Sequence, residues 1–181
     1  GLARLLSRQW RCGMSEAALE DYIFQHPHEL LLDSHVIGRQ LVCDYGVMDL
    51  LLWGPVDSHG NRWERPFAHI VELKVSPALD KHCAQVLRYK HSVMAAMNSW
   101  WANSKWGFAG GESGEAIPEE PECILVAPRF TPKAEAAADA ADISLVRIDH
   151  RGAEGVGFEA YKPRYYGRRA RDTKRPWSLA L

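Results

Sequence analysis

The apolar residues follow strand-like patterns between about residues 35 and 74 and recur with helical spacing after that. His35 to Cys43 alternates apolar and polar side chains, and Val47 to Trp53 and Phe67 to Lys74 continue as two further strands. From Ala78 to about Met97 the spacing is that of a helix with one buried face, formed by Leu79, Cys83, Val86, Leu87, Val93, Met94 and Met97. The pattern predicts three consecutive antiparallel strands, a meander, followed by one long helix.

Shorter elements complete the predicted order on either side. Ser15 is a suitable N-cap for a helix from about Glu16 to Gln25. Cys123 to Val126 is a short, continuously apolar strand, Pro132 to Ala141 an alanine-rich helix, and Ile143 to Ile148 another strand. Such a β-α-β unit implies a parallel pair. The predicted fold class is therefore α/β, a mixed sheet flanked by helices in the order α-β-β-β-α-β-α-β.

The composition excludes several classes of protein. With 46% hydrophobic and 25% charged residues, the chain of 181 residues is expected to fold as one globular domain rather than to be disordered. No apolar run approaches the roughly 18 to 20 residues that a membrane span requires, so no membrane association is expected. The four cysteines are far apart and form no CxxC pair, which predicts a reducing, cytoplasmic location.

Charge is unevenly distributed, although the formal net charge is only -1. Gly107 to Glu122 holds five glutamates and no Lys or Arg, whereas Tyr161 to Arg175 holds seven basic residues and a single acid, Asp172. This contrast predicts a basic working face and an acidic loop held away from it. We divide the chain into an N-terminal extension (residues 1–14), a domain (15–150) with an insertion loop (98–121), and a basic C-terminal tail (151–181).

Four charged residues stand where the core pattern predicts apolar side chains. Glu72 and Lys74 face the same side of their strand, because side chains alternate along a strand. Asp49 interrupts the apolar run of the neighbouring strand, where an unpaired buried charge is expensive. Glu20 lies at the edge of the apolar face of the first helix. We expect Asp49, Glu72 and Lys74 to lie within a few ångströms of one another, with Glu20 at the rim of the site.

Converging carboxylates repel one another, and a divalent cation relieves that repulsion. Carboxylate oxygens are hard ligands, which favour Mg²⁺ or Mn²⁺. A cation held in this way orients and acidifies a water molecule and neutralises charge on a phosphate, while a nearby lysine stabilises the developing negative charge. The residue pattern therefore predicts phosphodiester hydrolysis.

The same residues resemble a known signature. Asp49, then Glu72-Leu73-Lys74, then the helical segment Gln85-Val86-Leu87-Arg88-Tyr89 resemble the D...ExK...QxxxY motif of the PD-(D/E)XK nuclease superfamily. More narrowly, residues 15–27, 36–52, 70–89 and 124–128 resemble the nuclease domain of the NucS/EndoMS mismatch endonucleases. The resemblance spans about residues 15 to 150. It implies a restriction-endonuclease-like core, metal dependence and DNA as substrate.

The resemblance also implies a role for each matching residue. Asp49 and Glu72 would bind the metal ion together with the carbonyl of Leu73, and Lys74 would assist the nucleophile. Glu20 matches the glutamate of the family's first helix. The predicted catalytic set is Glu20, Asp49, Glu72, Lys74, Gln85 and Tyr89.

Several of these positions also have a simpler interpretation. Glu72 and Lys74 could form an ordinary salt bridge on the surface of the sheet. Gln85 and Tyr89 lie one helical turn apart and therefore share a face. They either reach the active site or the DNA backbone, or they belong to an exposed polar stripe. Arg39 either touches DNA or is a solvated strand residue.

Basic residues are the candidates for contacts with DNA. The tail either follows phosphates through counterion release or is a solubilising end, and its tyrosines together with Trp177 favour nucleic acid. The candidate contact residues are Arg39, Arg88, Arg164, Arg168, Arg169, Arg171, Lys174 and Arg175.

Together these features predict a Mg²⁺-dependent (or Mn²⁺-dependent) DNA endonuclease that hydrolyses phosphodiester bonds. Two alternatives remain open from the sequence. One is a structure-specific nuclease or exonuclease, and the other is a nucleic-acid-binding protein that keeps the nuclease fold without cutting. DNA is the expected partner, and a homodimer is one option for assembly.

Overall fold

A six-stranded mixed sheet forms the centre of the fold, in a computed structural model that describes residues 14–103, 120–150 and 156–161. The first three strands are antiparallel, the third to fifth are parallel, and the sixth turns back antiparallel to the fifth. The predicted mixed sheet is confirmed. The strands lie side by side in chain order: β1 (His35–Cys43), β2 (Gly46–Val56), β3 (Arg62–Leu73), β4 (Glu122–Ala127), β5 (Ile143–His150) and β6 (Val156–Ala160).

Helices cover both faces of this sheet. The helices are α1 (Glu16–Gln25), α2 (Pro27–Leu30), α3 (Asp80–Asn103) and α4 (Pro132–Ala140). Leu19 and Ile23 of α1 pack on one face, and α3 and α4 cover the other with residues such as Val86 and Ala138. As predicted, Ser15 caps α1, because its side chain accepts a hydrogen bond from the Ala18 N–H at 3.1 Å. Every helix in the described ranges is too short or too polar to span a lipid bilayer.

Three elements are longer than the apolar pattern predicts. Strands β2 and β3 extend into the predicted polar loop between residues 54 and 66, and leave only residues 57–61 as a connection. Asp57 closes this connection, because its side chain accepts hydrogen bonds from the backbone N–H groups of His59 and Asn61, both at 2.9 Å. Helix α3 continues to Asn103, so residues 98–103 of the predicted insertion loop are helical. Residues 104–119 of that loop lie outside the described residues.

The sheet also has a strand where the sequence predicts a tail. Strand β6 spans Val156–Ala160 and pairs with β5, with Val156 opposite His150 and Ala160 opposite Val146. The pattern conceals this strand because it has only five residues and a single buried position, Val156. The predicted tail of residues 151–181 is therefore corrected for residues 156–160, which belong to the sheet.

A buried polar cluster, which the sequence analysis did not find, ties β3, β4 and β5 together. The carboxylate of Glu122 lies 2.9 Å from Nδ1 of His69 and accepts hydrogen bonds from Ser144 Oγ at 2.7 Å and from the Ser58 N–H at 3.2 Å. Burial alone would raise the pKa of Glu122, but these hydrogen bonds outweigh it and hold the pKa below its ordinary value. The cluster joins the connection after β2 to the sheet.

Candidate active site

The meander brings Asp49, Glu72 and Lys74 together. Leu50 of β2 pairs with Val71 of β3, so Asp49 and Glu72 are the next neighbours along the same antiparallel pair. Asp49 Oδ2 accepts a hydrogen bond from the backbone N–H of Leu73 at 2.8 Å. The ammonium of Lys74 lies 2.7 Å from Glu72 Oε1. Two carboxylates and one ammonium thus share a small volume at the end of β3.

Glu72 is the most buried charged group of this site. Only 1% of the residue is exposed, and its Oε2 atom has no hydrogen-bond partner among the described residues. Burial, and then the negative charge of Asp49, raise the pKa of Glu72 to about 7, although the Lys74 ammonium acts in the opposite direction. Burial also raises the pKa of Asp49, against the effects of the Leu73 N–H and Lys74. Burial therefore disfavours the ionised form of both carboxyl groups, and a further positive charge beside them would favour it.

Lys74 is the main internal counter-charge. Its ammonium donates a hydrogen bond to the carbonyl of Leu73 at 2.7 Å and also lies 3.6 Å from Glu16 of α1. Burial alone would lower the pKa of Lys74, but the hydrogen bond and charge of Glu72, with the charges of Glu16 and Asp49, raise it. Lys74 is therefore an ammonium at neutral pH, a hydrogen-bond donor rather than a proton acceptor.

Glu20 lies beside this group and is held by two residues of β1. It is 5% exposed. Its Oε1 accepts a hydrogen bond from Arg39 Nε, and its Oε2 accepts one from the side-chain amide of Gln40. Arg39 also binds Asp21 at 2.5 Å and lies over the ring of Phe24, 5.4 Å from its centroid. Arg39 is therefore paired with two carboxylates rather than free in solvent, and its contact with DNA stays a prediction.

Gln40 is a site residue that the sequence analysis missed. Strand alternation places it on a polar position and gives no reason to single it out. Its place in the hairpin shows why it matters. Arg39 pairs with Leu50 and Leu41 with Met48, so Gln40 lies opposite Asp49. Its amide nitrogen is 3.4 Å from Asp49 Oδ1.

Gln85 and Tyr89 of α3 brace the start of β2. Tyr89 is 1% exposed, so the alternative of an exposed polar stripe is wrong for this residue. Its hydroxyl donates a hydrogen bond to the carbonyl of Val47 at 2.7 Å and accepts one from the Gln85 amide at 2.6 Å. A Cβ atom at Gly46 would stand 3.4 Å from that hydroxyl. The pair fixes α3 against the strand that carries Asp49.

Replacing Tyr89 by Phe is expected to lower the free energy of unfolding by about 1 to 2 kcal/mol, because the hydroxyl of this buried residue bonds both the Val47 carbonyl and the Gln85 amide, and each loses a partner. Urea titration followed by circular dichroism measures this change. Tyr22→Phe is the matched control, since the Tyr22 hydroxyl bonds Glu29 at an exposed position, and it should change the stability by less than about 0.5 kcal/mol. Equal effects of the two variants would contradict the bracing role of Tyr89.

The remaining candidate contacts fall into two groups. Arg88 is exposed on α3, on the helix that also carries Gln85 and Tyr89. The tail candidates lie outside the described residues: Arg164, Arg168, Arg169, Arg171, Lys174 and Arg175.

Solved structures similar to this chain include a repair endonuclease from Pyrococcus abyssi, with 24% sequence identity and a TM-score of 0.49 over 75% of this chain and 47% of that chain. An EndoMS complex with dsDNA has 20% identity and a TM-score of 0.48, covering 72% of this chain and 43% of that chain. Restriction endonuclease FokI bound to DNA has 12% identity and a TM-score of 0.45, covering 75% and 22% of the two chains.

The chain spans less than half the length of each of these structures. No protein-family model and no curated protein matches the sequence. The similarity to these solved structures concerns the path of the backbone. What the site can do chemically depends on its own side chains.

The oxygen atoms around Glu72 fit a hard divalent cation. Glu72 Oε2 is buried without a partner among the described residues, and Asp49 stands beside it. The Leu73 carbonyl already accepts a hydrogen bond from a positively charged group, the Lys74 ammonium. Within the described ranges no group of three or more His, Cys, Asp or Glu side chains is placed to hold a metal ion. Mg²⁺ is commonly held by one or two carboxylates, with water and substrate phosphate completing its coordination shell. Two carboxylates and one carbonyl match this type of coordination.

Proposed function

We propose that this protein is a metal-dependent endonuclease that hydrolyses phosphodiester bonds in DNA, with Mg²⁺ or Mn²⁺ as its cofactor. The observation that carries the proposal is the pair of carboxylates, Asp49 and Glu72, beside the ammonium of Lys74 on adjacent strands. The raised pKa of Glu72 and its unpartnered Oε2 atom indicate a group that needs a further positive charge. The sequence resemblance supplies the preference for DNA.

In this proposal Asp49, Glu72 and the Leu73 carbonyl hold the cation. A bound divalent cation supplies charge neutralisation at the phosphate and lowers the pKa of a water molecule. Lys74 keeps its proton. Its ammonium would shift its hydrogen bonds from Glu72 and Leu73 to the scissile phosphate or the attacking water, and would stabilise the negative charge that develops during the reaction. Glu20 lines the rim and orders water at the site.

The other residues of the site act on its geometry. Tyr89 and Gln85 keep the start of β2 against α3, and so keep Asp49 opposite Glu72. Arg88 is placed on the exposed side of α3, where it would contact the DNA backbone. A cytoplasmic location, a homodimer and the choice between Mg²⁺ and Mn²⁺ stay predictions from the sequence.

Cleavage of labelled single-stranded, duplex, mismatched and branched DNA tests the proposal, with Mg²⁺, with Mn²⁺ and with EDTA. Covalently closed circular duplex belongs in the same panel, because it has no ends and only an endonuclease can nick it. We expect metal-dependent cleavage that includes the circle. Cleavage of linear DNA alone would assign an exonuclease, and binding without cleavage of any substrate would assign a protein that only binds nucleic acid.

The basic tail provides a prediction that separates binding from chemistry. Deleting residues 162–175 is expected to weaken binding to all DNA sequences alike, and each lost phosphate contact should flatten the slope of log K against log salt by about 0.9. The cleavage rate at saturating DNA should change much less, because Asp49, Glu72 and Lys74 belong to the sheet and its end. Fluorescence anisotropy at several salt concentrations measures the slope. Truncation after Arg175 is the control, and an unaltered slope in the longer deletion would assign DNA contact to Arg39 and Arg88.

A further inference from the structure

We propose that Gln40 is a positioning residue of this site, which fixes the carboxylates of Glu20 and Asp49 relative to each other and so sets the affinity for a divalent cation. The inference rests on the proposed function. Nothing in the sequence motif marks this residue, whose backbone conformation and two side-chain contacts point to the role.

The backbone of Gln40 is unusual for a strand. Its φ is +48°, a left-handed value that is uncommon for residues other than glycine. Successive side chains of a regular strand point to opposite faces, yet Arg39 and Gln40 both bind Glu20. The left-handed residue breaks the alternation and turns two consecutive donors toward one carboxylate. Backbone strain of this kind persists only where the surrounding structure imposes it, and it is frequent at functional sites.

The side-chain amide of Gln40 connects two carboxylates that belong to different elements. It donates a hydrogen bond to Oε2 of Glu20 on α1 and lies 3.4 Å from Oδ1 of Asp49 on β2. Glu20 Oε1 is held separately by Arg39, so both oxygens of Glu20 have a donor. A neutral amide can bring two like charges close without adding a positive charge that would compete with a metal ion for them.

Loss of this amide would leave Glu20 and Asp49 to repel each other across the gap. The carboxylates would then lose their fixed orientation, although every cation ligand would still be present. Groups that orient metal ligands through hydrogen bonds commonly change metal affinity by about 10- to 100-fold. We therefore expect Gln40 to act on the affinity for the cation rather than on the chemical step.

The test measures binding of Mn²⁺ to the full chain without DNA, from the electron paramagnetic resonance signal of free Mn²⁺. Gln40→Gly removes the amide and tolerates the left-handed backbone, and Gln40→Asn keeps an amide on a shorter side chain at a position that Asn also tolerates. Asp142→Gly is the matched control, because Asp142 also has a left-handed backbone, with φ of +55°, and lies after α4, away from this site.

We expect Gln40→Gly to raise the Kd for Mn²⁺ by about 10- to 100-fold, Gln40→Asn to raise it less, and Asp142→Gly to leave it unchanged. Saturating Mn²⁺ should restore cleavage by Gln40→Gly, whereas Glu72→Gln should stay inactive. Wild-type affinity in Gln40→Gly, together with lost affinity in Glu72→Gln, would overturn the role of Gln40 and leave the proposed function intact. A wild-type protein that binds no Mn²⁺ would overturn both.

If Gln40→Gly does not fold, Gln40→Asn decides the question. A Kd for Mn²⁺ above that of the wild type would support the role of Gln40, and a wild-type Kd would overturn it.

Discussion

Asp49→Asn and Glu72→Gln are each expected to reduce the DNA cleavage rate in Mg²⁺ by about 10²- to 10³-fold, the scale on which loss of one charge-stabilising group at a reacting centre acts. Both substitutions keep the size of the side chain and remove the negative charge that holds the cation. DNA affinity measured in EDTA should remain close to that of the wild type, because neither residue is a positive group that contacts phosphate. Single-turnover cleavage and fluorescence anisotropy measure the two quantities.

Glu64→Gln is the matched control for these variants. Glu64 is an exposed residue of β3, on the strand that carries Glu72, and its replacement should leave cleavage unchanged. Undiminished cleavage by Asp49→Asn or Glu72→Gln would end the assignment of the nuclease site to this position. Equal losses in all three variants would point instead to a general effect of charge on DNA binding.

The same Glu72→Gln substitution is expected to stabilise the protein in the absence of metal. The pKa of Glu72 rises from 4.5 to about 7 on folding, so the folded state holds a proton more tightly than the unfolded state does. The free energy of unfolding therefore falls as pH rises from about 4.5 to about 7, and levels off above that range. Glutamine has no such proton to lose.

At pH 8 in EDTA we expect a gain of about 1 to 2 kcal/mol for Glu72→Gln. At about 1.4 kcal/mol per pKa unit, the raised pKa means that ionised Glu72 destabilises the folded state by roughly 3 kcal/mol. The cost of burying an uncharged amide reduces the gain expected from its removal. Urea titrations at several pH values should show the gain vanish toward pH 4.5. Glu16→Gln is the control, because Glu16 also faces Lys74 but is exposed. A loss of stability at pH 8 would show that the Lys74 ion pair outweighs burial.

The order of the elements could be predicted because each has a clear apolar period. Helix α1 and strand β1 have the predicted bounds, Glu16–Gln25 and His35–Cys43. The longer extents of β2 and β3 could not be predicted, since exposed ends such as Arg62 and Glu64 have no apolar pattern and are held in strands by backbone pairing and the Asp57 turn. Strand β6 could not be predicted either, because it is short and has a single buried position and therefore no apolar pattern.

The pair of carboxylates could be predicted for a different reason, namely that Asp49 and Glu72 break apolar patterns whose strands are neighbours. Gln40 could not be predicted, because a left-handed backbone leaves no mark when the residue is not glycine. The buried position of Tyr89 was also hidden, since its spacing fits a polar stripe as well as a core. Its hydrogen bond to the Val47 carbonyl depends on how closely α3 approaches β2, which is a property of packing.

The distortion of β1 has a consequence for how the chain meets other chains. β1 is at one end of the strand order, and within the described part of the chain it pairs with β2 alone. A regular edge strand is a template on which a foreign strand can add. The register of β1 shifts between Val36 and Gly38, and Gln40 follows with its left-handed backbone. These irregularities interrupt the row of outward N–H and C=O groups, so the edge that carries donors to Glu20 is also poorly suited to edge-to-edge aggregation.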